Sequence, residues 1–133
     1  MRILAIDYGA QRTGIAISDQ TGALASPLET IARVGTPAGM DALVAVIARE
    51  QPALVVVGNP RTAGGVQGAQ ARATSAFVGR LRKRIAVPVE LEDERFTTAA
   101  ATRLGQTPTV TGLDARAAAV LLQGLLDRRA VAS

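Results

Sequence analysis

The first eighteen residues constrain this chain more than any other stretch. Ile3, Leu4, Ala5 and Ile6 form an unbroken apolar run that ends on an acid, Asp7. A run without polar alternation is the pattern of a central strand buried on both faces. An ionised carboxylate is costly to bury without a partner. Asp7 is therefore expected at the exposed C-terminal end of a strand over residues 2–7, the edge where α/β sheets place ligands and chemistry. Gly9 and Gly14 bracket a short turn, and residues 13–18 read as a second strand. An acid at such a junction suits phosphate or metal chemistry, and it equally serves as a turn cap.

The remaining elements follow from local signals. Residues 19–22 form a hairpin-like turn, and a third strand runs from residue 23 to about 31, with Pro27 arguing for an edge position. Thr36 and Pro37 start a helix as N-cap and first helical residue. Met40, Leu43, Val44 and Ile47 repeat at the helical period, and Gln51-Pro52 ends the helix. Residues 54–58 (LVVVG) are a β-branched central strand. A Gly- and Pro-rich loop covers 59–65, and a helix over 67–84 turns Ala73, Phe77 and Leu81 inward. A fifth strand spans 87–92, a short helix 98–104 closes at Gly105, and 106–112 reads as a loop. The last helix, 113–129, buries Ala117, Ala118, Leu121, Leu122 and Leu125. Three leading strands suggest an antiparallel meander, and the later strand–helix alternation suggests parallel additions. The expectation is one α/β domain over 1–133, a mixed five-stranded sheet with helices on both faces.

Composition removes several chemistries. There is no cysteine and no histidine. Disulfides, thiol catalysis and thiolate zinc sites are excluded, and so are the commonest general base and transition-metal ligand. A metal here must be held by oxygen, which favours Mg²⁺ or Mn²⁺. No apolar stretch approaches the ~20 residues of a membrane span, and the chain opens on a strand, so cytoplasmic residence is expected. Net charge is +4, and fourteen of the fifteen basic residues are arginine. Arginine binds phosphate through a planar fork, which suits a nucleic-acid partner. Arg80, Arg82, Lys83 and Arg84 cluster at one helix end, with Arg72 two turns earlier; a solvated face would give the same pattern.

Four acids fall at element ends: Asp7, Asp93, Glu94 and Asp114. Carboxylates brought together repel unless cations neutralise them. Two Mg²⁺ or Mn²⁺ ions roughly 3.5–4 Å apart are the standard device for phosphodiester hydrolysis, and they need no histidine. Each acid also has a structural role open to it. Thr111 to Asp114 forms a capping box, and Asp93 or Glu94 could pair with Arg95 or Arg103.

Taken together, DYGAQRTGIA (7–16), VVVGNPR (55–61), EDERFTT (92–98) and LDARAAAVLLQ (113–123) resemble the YqgF/RuvX family. That family comprises pre-16S rRNA processing nucleases and Holliday-junction resolvases with a ribonuclease H-like fold. The resemblance implies metal ligation and catalysis by Asp7, by Glu94 or Asp93, and by Asp114. Gly9 and Gly14 match the family's turn glycines, and Gly58 with Pro60 matches its loop after the fourth strand. Against the family pattern, the 106–112 loop is short and uncharged, Thr98-Ala99-Ala100-Ala101 lacks an acid, and Arg61 stands where an apolar residue is usual.

The leading expectation is a metal-dependent nuclease acting on RNA or branched DNA, with Arg12, Arg61, Arg72, Arg80, Arg84 and Arg95 holding the backbone. A resolvase making two symmetric cuts would act as a homodimer. The alternatives are a nucleic-acid-binding or ribosome-assembly module without turnover, and a nucleotide-binding ATPase half. The second is disfavoured because that fold uses two such domains.

Overall fold

The computed structural model of the chain describes residues 1–59, 68–93 and 113–132. Five strands, β1 (Ile3–Asp7), β2 (Arg12–Ser18), β3 (Ala25–Ala32), β4 (Leu54–Asn59) and β5 (Val89–Asp93), form one sheet in the order β3-β2-β1-β4-β5. The first three strands are an antiparallel meander, and β4 and β5 are added parallel to β1. Helices α1 (Pro37–Glu50), α2 (Gly68–Arg82) and α3 (Leu113–Ala132) cover it. The expected short helix 98–104, the loop 106–112 and most of the loop 59–65 lie outside the described residues.

Alternation along the strands divides the core in two. Leu4, Ile6, Val55 and Val57 pack with Met40, Leu43, Ile47, Phe77 and Leu81 of α1 and α2. Ile3, Ala5, Ala16, Leu54 and Val56 pack with Ala118, Ala119, Leu122 and Leu125 of α3. The continuous apolar runs of β1 and β4 therefore reflect helices on both faces.

Local chemistry sets the boundaries. Thr36 caps α1, its hydroxyl accepting from Gly39 N at 3.1 Å, and Pro37 follows it. Gln51 ends that helix in the left-handed conformation. Asp19 organises the β2–β3 turn, accepting from Ala23 N at 2.9 Å and from the Thr21 hydroxyl at 2.9 Å. Pro27 lies on the edge strand, where the register slips past Leu28, a place that tolerates a missing donor. Two expectations about helix faces need correction. On α2 Phe77 and Leu81 are buried as expected, but Ala73 is exposed and its neighbour Thr74 is buried instead. On α3 Ala117 is only half-buried, beside the buried Ala118.

Candidate active site

Asp7 ends β1 at the edge of the sheet where the parallel strands β1, β4 and β5 all finish. Its neighbour Tyr8 stacks on Phe77 of α2, with ring centroids 4.6 Å apart. Tyr8 thus continues the Leu4 and Ile6 side of the strand, and Asp7, by alternation, shares the side of Ile3 and Ala5, beneath α3.

The residues across from Asp7 are glycines. Gly14, already inside β2, pairs directly with Asp7. One step beyond the Ile6–Val57 pair stands Gly58 of β4, which in turn pairs with Glu92 of β5. The row Gly14, Asp7, Gly58, Glu92 therefore crosses four strands, with a glycine in register with Asp7 on each neighbouring strand. At a strand spacing of about 4.8 Å, Glu92 stands roughly 10 Å from Asp7.

The turn after Asp7 is tightly built. Thr13 is fully buried; its hydroxyl donates to Gly9 O at 3.2 Å and accepts from Gly9 N at 3.3 Å. A Cβ on Gly9 would overlap the Arg12 carbonyl oxygen, so only glycine fits.

α3 supplies the opposite wall. Its later half meets the edge where β1 begins: Leu126 and Ala130 line a cleft with Met1, Ile3 and Gly22. Gln123 Nε2 donates to Ala23 O at 3.0 Å, and its Oε1 accepts from Ala25 N at 3.0 Å. The helix accordingly begins toward the edge where β1 ends, and Asp114 is its second residue. Near its other end, Arg128 Nη2 donates to Glu92 Oε1 at 2.9 Å, and Arg129 lies 3.7 Å from Glu90.

The residues expected at the site separate as follows. Asp7, Gly9, Gly14 and Arg12 gather at one edge, and Gly58 lies on the Asp7 row. Asp93 ends β5 opposite Asn59. Glu94, Pro60, Arg61 and Arg95 lie outside the described residues. Among the described residues no three acids come together as a cation site, and Asp7 is the one expected ligand whose side chain is described. The basic cluster is elsewhere. α2 leaves β4 at the Asp7 edge and returns to the start of β5, so Arg80 and Arg84 lie toward the far edge of the sheet. Arg84 pairs with Asp41 at 2.7 Å, and Arg82 donates to Val89 O at 2.6 Å. Arg72, exposed, is nearer the helix start.

Two residues at this edge were not anticipated. Glu92 could have been found from the parity of β5, since Val89 faces α1 and α2 and leaves Glu90 and Glu92 for the α3 side. Arg33 carries no sequence signal, because its distinction is a backbone angle.

A mixed five-stranded sheet in the order β3-β2-β1-β4-β5, with an acid ending its central strand, is a ribonuclease H-like fold. Over 98% of this chain and 96% of the other, the structure matches Thermus thermophilus RuvC in complex with a Holliday junction substrate, with a TM-score of 0.62 at 18% identity. That likeness is one of fold. The family described as "RuvX: Holliday junction resolvase" matches residues 1–128, and the chain belongs to it. It is 40% identical over 131 residues to a Gloeobacter violaceus protein named "Putative pre-16S rRNA nuclease", covering 96% of this chain and 84% of that one. A Nocardia farcinica protein of the same name is 43% identical over 141 residues, covering 96% and 78%. Among the described residues no helix is long and apolar enough to cross a membrane.

Proposed function

We propose that this chain, as one domain over residues 1–133, is a metal-dependent phosphodiester hydrolase acting on nucleic acid in the cytoplasm. The observation that carries the reading is Asp7, at the ligand-bearing edge of the sheet with glycine on both neighbouring strands. That arrangement leaves the carboxylate room for an ion that any Cβ at Gly14 or Gly58 would narrow. Asp7, Glu94 or Asp93, and Asp114 are the residues that would hold Mg²⁺ or Mn²⁺. Their donor atoms are all oxygens, the set these hard cations take. Bound there, such ions supply neutralisation of the clustered carboxylates and of the charge that develops on the phosphoryl group. Glu94 shares sequence parity with Glu90 and Glu92, which favours it over Asp93.

The chain's own part is positioning. Arg12, exposed at the start of β2 beside the Asp7 edge, engages a backbone phosphate. Arg61, Arg72 and Arg95 are candidates for further contacts. Relatives bearing a pre-16S rRNA nuclease name favour RNA processing as the physiological role. Junction resolution would additionally require a homodimer, since two symmetric cuts need two sites.

The test is cleavage of end-labelled single-stranded RNA carrying a 16S 5′ precursor, single-stranded DNA and a four-way junction, in Mn²⁺, Mg²⁺ or EDTA. Wild type is compared with Asp7→Asn, whose fold is checked by circular dichroism. Metal-dependent cutting lost in Asp7→Asn supports the reading, and the preferred substrate selects the role. Binding without cutting in any metal would sink it in favour of a non-catalytic assembly module.

A further inference from the structure

Between β3 and α1 the chain passes through Arg33, whose φ is 49°, in the left-handed region that bulky side chains avoid. Among the described residues one other non-glycine shares a positive φ: Gln51, which ends α1, where that conformation is routine. Arg33 ends no helix. Its backbone is clamped from both sides: its N–H donates to Gln11 O at 2.9 Å, and its carbonyl accepts from Thr36 N at 3.0 Å and from the Thr36 hydroxyl at 2.8 Å. α1 lies so close that a Cβ on Gly39 would overlap the Arg33 carbonyl oxygen.

A glycine at position 33 would make the same chain reversal without strain. What arginine adds is an exposed guanidinium, carried on a backbone fastened through Gln11 to the turn that follows Asp7. It borders a cleft of about 380 Å³ lined by Ala10, Gln11, Arg33, Gly35 and Thr36. Arg12 opens β2 opposite Ala32, the residue before Arg33, so both guanidinium-bearing residues stand at this corner. Among the described residues neither is paired with a carboxylate, whereas Arg2, Arg49, Arg84, Arg128 and Arg129 are.

We propose that Arg33, together with Arg12, binds backbone phosphates of the nucleic acid next to the one presented to Asp7. The strained backbone fixes where this second fork stands relative to the catalytic edge. Outliers of this kind persist where the surroundings over-determine them, and they cluster at functional sites. A planar fork matches a phosphodiester and carries no sequence preference, so the role is positioning rather than base readout.

The inference rests on the nuclease reading, and its test separates the two. Affinity for labelled single-stranded RNA and for a four-way junction is measured in the Asp7→Asn background, with and without Arg33→Gly, across a salt series. Thermal midpoints are recorded alongside. The expected result is an unchanged or raised midpoint, a Kd weakened by about fivefold to tenfold, and a salt slope reduced by roughly 0.7–0.9 for the lost phosphate contact. Arg33→Asn, another residue that accepts this conformation, should behave like Arg33→Gly, and Arg33→Lys should retain part of the affinity. Unchanged affinity and slope in both Arg33→Gly and Arg33→Asn would overturn the assignment while leaving the nuclease reading standing. Failure of the Asp7→Asn protein to bind either substrate would overturn both.

Discussion

Arg128 Nη2 lies 2.9 Å from Glu92 Oε1, and this contact ties the last turns of α3 to the end of β5. Among the described residues β5 contributes none to the apolar cluster beneath α3, and this pair and the longer Arg129–Glu90 pair link the two elements. Those elements carry Asp93, next to Glu94, and Asp114. Side chains of the pair are 32% and 24% exposed, between a surface and a buried bridge. Breaking it with Glu92→Gln should therefore cost about 1 kcal/mol of stability, more than a surface pair and less than a buried one. A double-mutant cycle with Arg128→Gln, read by urea midpoints, isolates the pairwise energy. Coupling indistinguishable from zero would show that this pair adds nothing to the apolar face and the Gln123 hydrogen bonds that hold α3.

Gly14 pairs with Asp7 and places no side chain opposite it on β2. Gly14→Ala adds one methyl on the α3 face, where Ala16 of the same strand is already buried. The fold should survive, because alanine suits an extended backbone. Affinity for Mn²⁺ should fall by about tenfold, the lower end of the effect of residues that surround a metal site. Paramagnetic relaxation of water protons during Mn²⁺ titration reads this without nucleic acid. Affinity equal to wild type would mean that the space beside Asp7 is not used.

How much of this was written in the sequence depends on how local each signal is. The apolar runs of β1 and β4 mark central strands because both faces are covered, and Thr36-Pro37 marks the α1 start because its capping chemistry is self-contained. Pro27 at the edge belongs with these. Helix faces were less legible where residues are small. Polarity alone would bury Ala73 rather than Thr74, and the packing of α2 on the sheet decides that Thr74 is the buried one. The site divides along the same line. Asp7 and Gly9 were legible from one short segment. The distance of Arg80 and Arg84 from that edge follows from the return path of α2, which no local pattern encodes. Arg33 was invisible because its conformation is imposed by Gln11 and Thr36.

Gly9 tests the turn itself. In Gly9→Ala the new methyl meets the Arg12 carbonyl oxygen, a backbone atom that cannot swing aside. The turn must open, weakening both contacts between Gly9 and the Thr13 hydroxyl. A loss of about 1–3 kcal/mol is expected, in the range for forced overpacking. Thr13→Val, which removes the hydroxyl alone, should cost about 1 kcal/mol. Urea midpoints give both values. A Gly9→Ala protein as stable as wild type would show that the turn has an alternative geometry.

Glu50, the last residue of α1, joins that helix to the start of β1. Its carboxylate accepts from Arg49 Nε at 3.0 Å and from Arg2 Nη2 at 2.8 Å. Arg49, then Arg2, hold its pKa below the ordinary value of 4.5. The folded carboxylate thus binds a proton more weakly than the unfolded one. These contacts contribute their full stability above the ordinary value, and that contribution is lost as pH falls through the lowered folded value. Asp19 is shifted in the same direction by the Ala23 N–H and the Thr21 hydroxyl, so the whole protein should weaken through the acid range. Urea midpoints measured from about pH 3 to 6 should show a shallower decline in Glu50→Gln than in wild type, because the variant has no proton to take up at this position. Parallel declines in the two proteins would mean that Glu50 titrates alike in the folded and unfolded chains, and that Arg2 holds the start of β1 through the Glu50 carbonyl, its second acceptor at 2.6 Å.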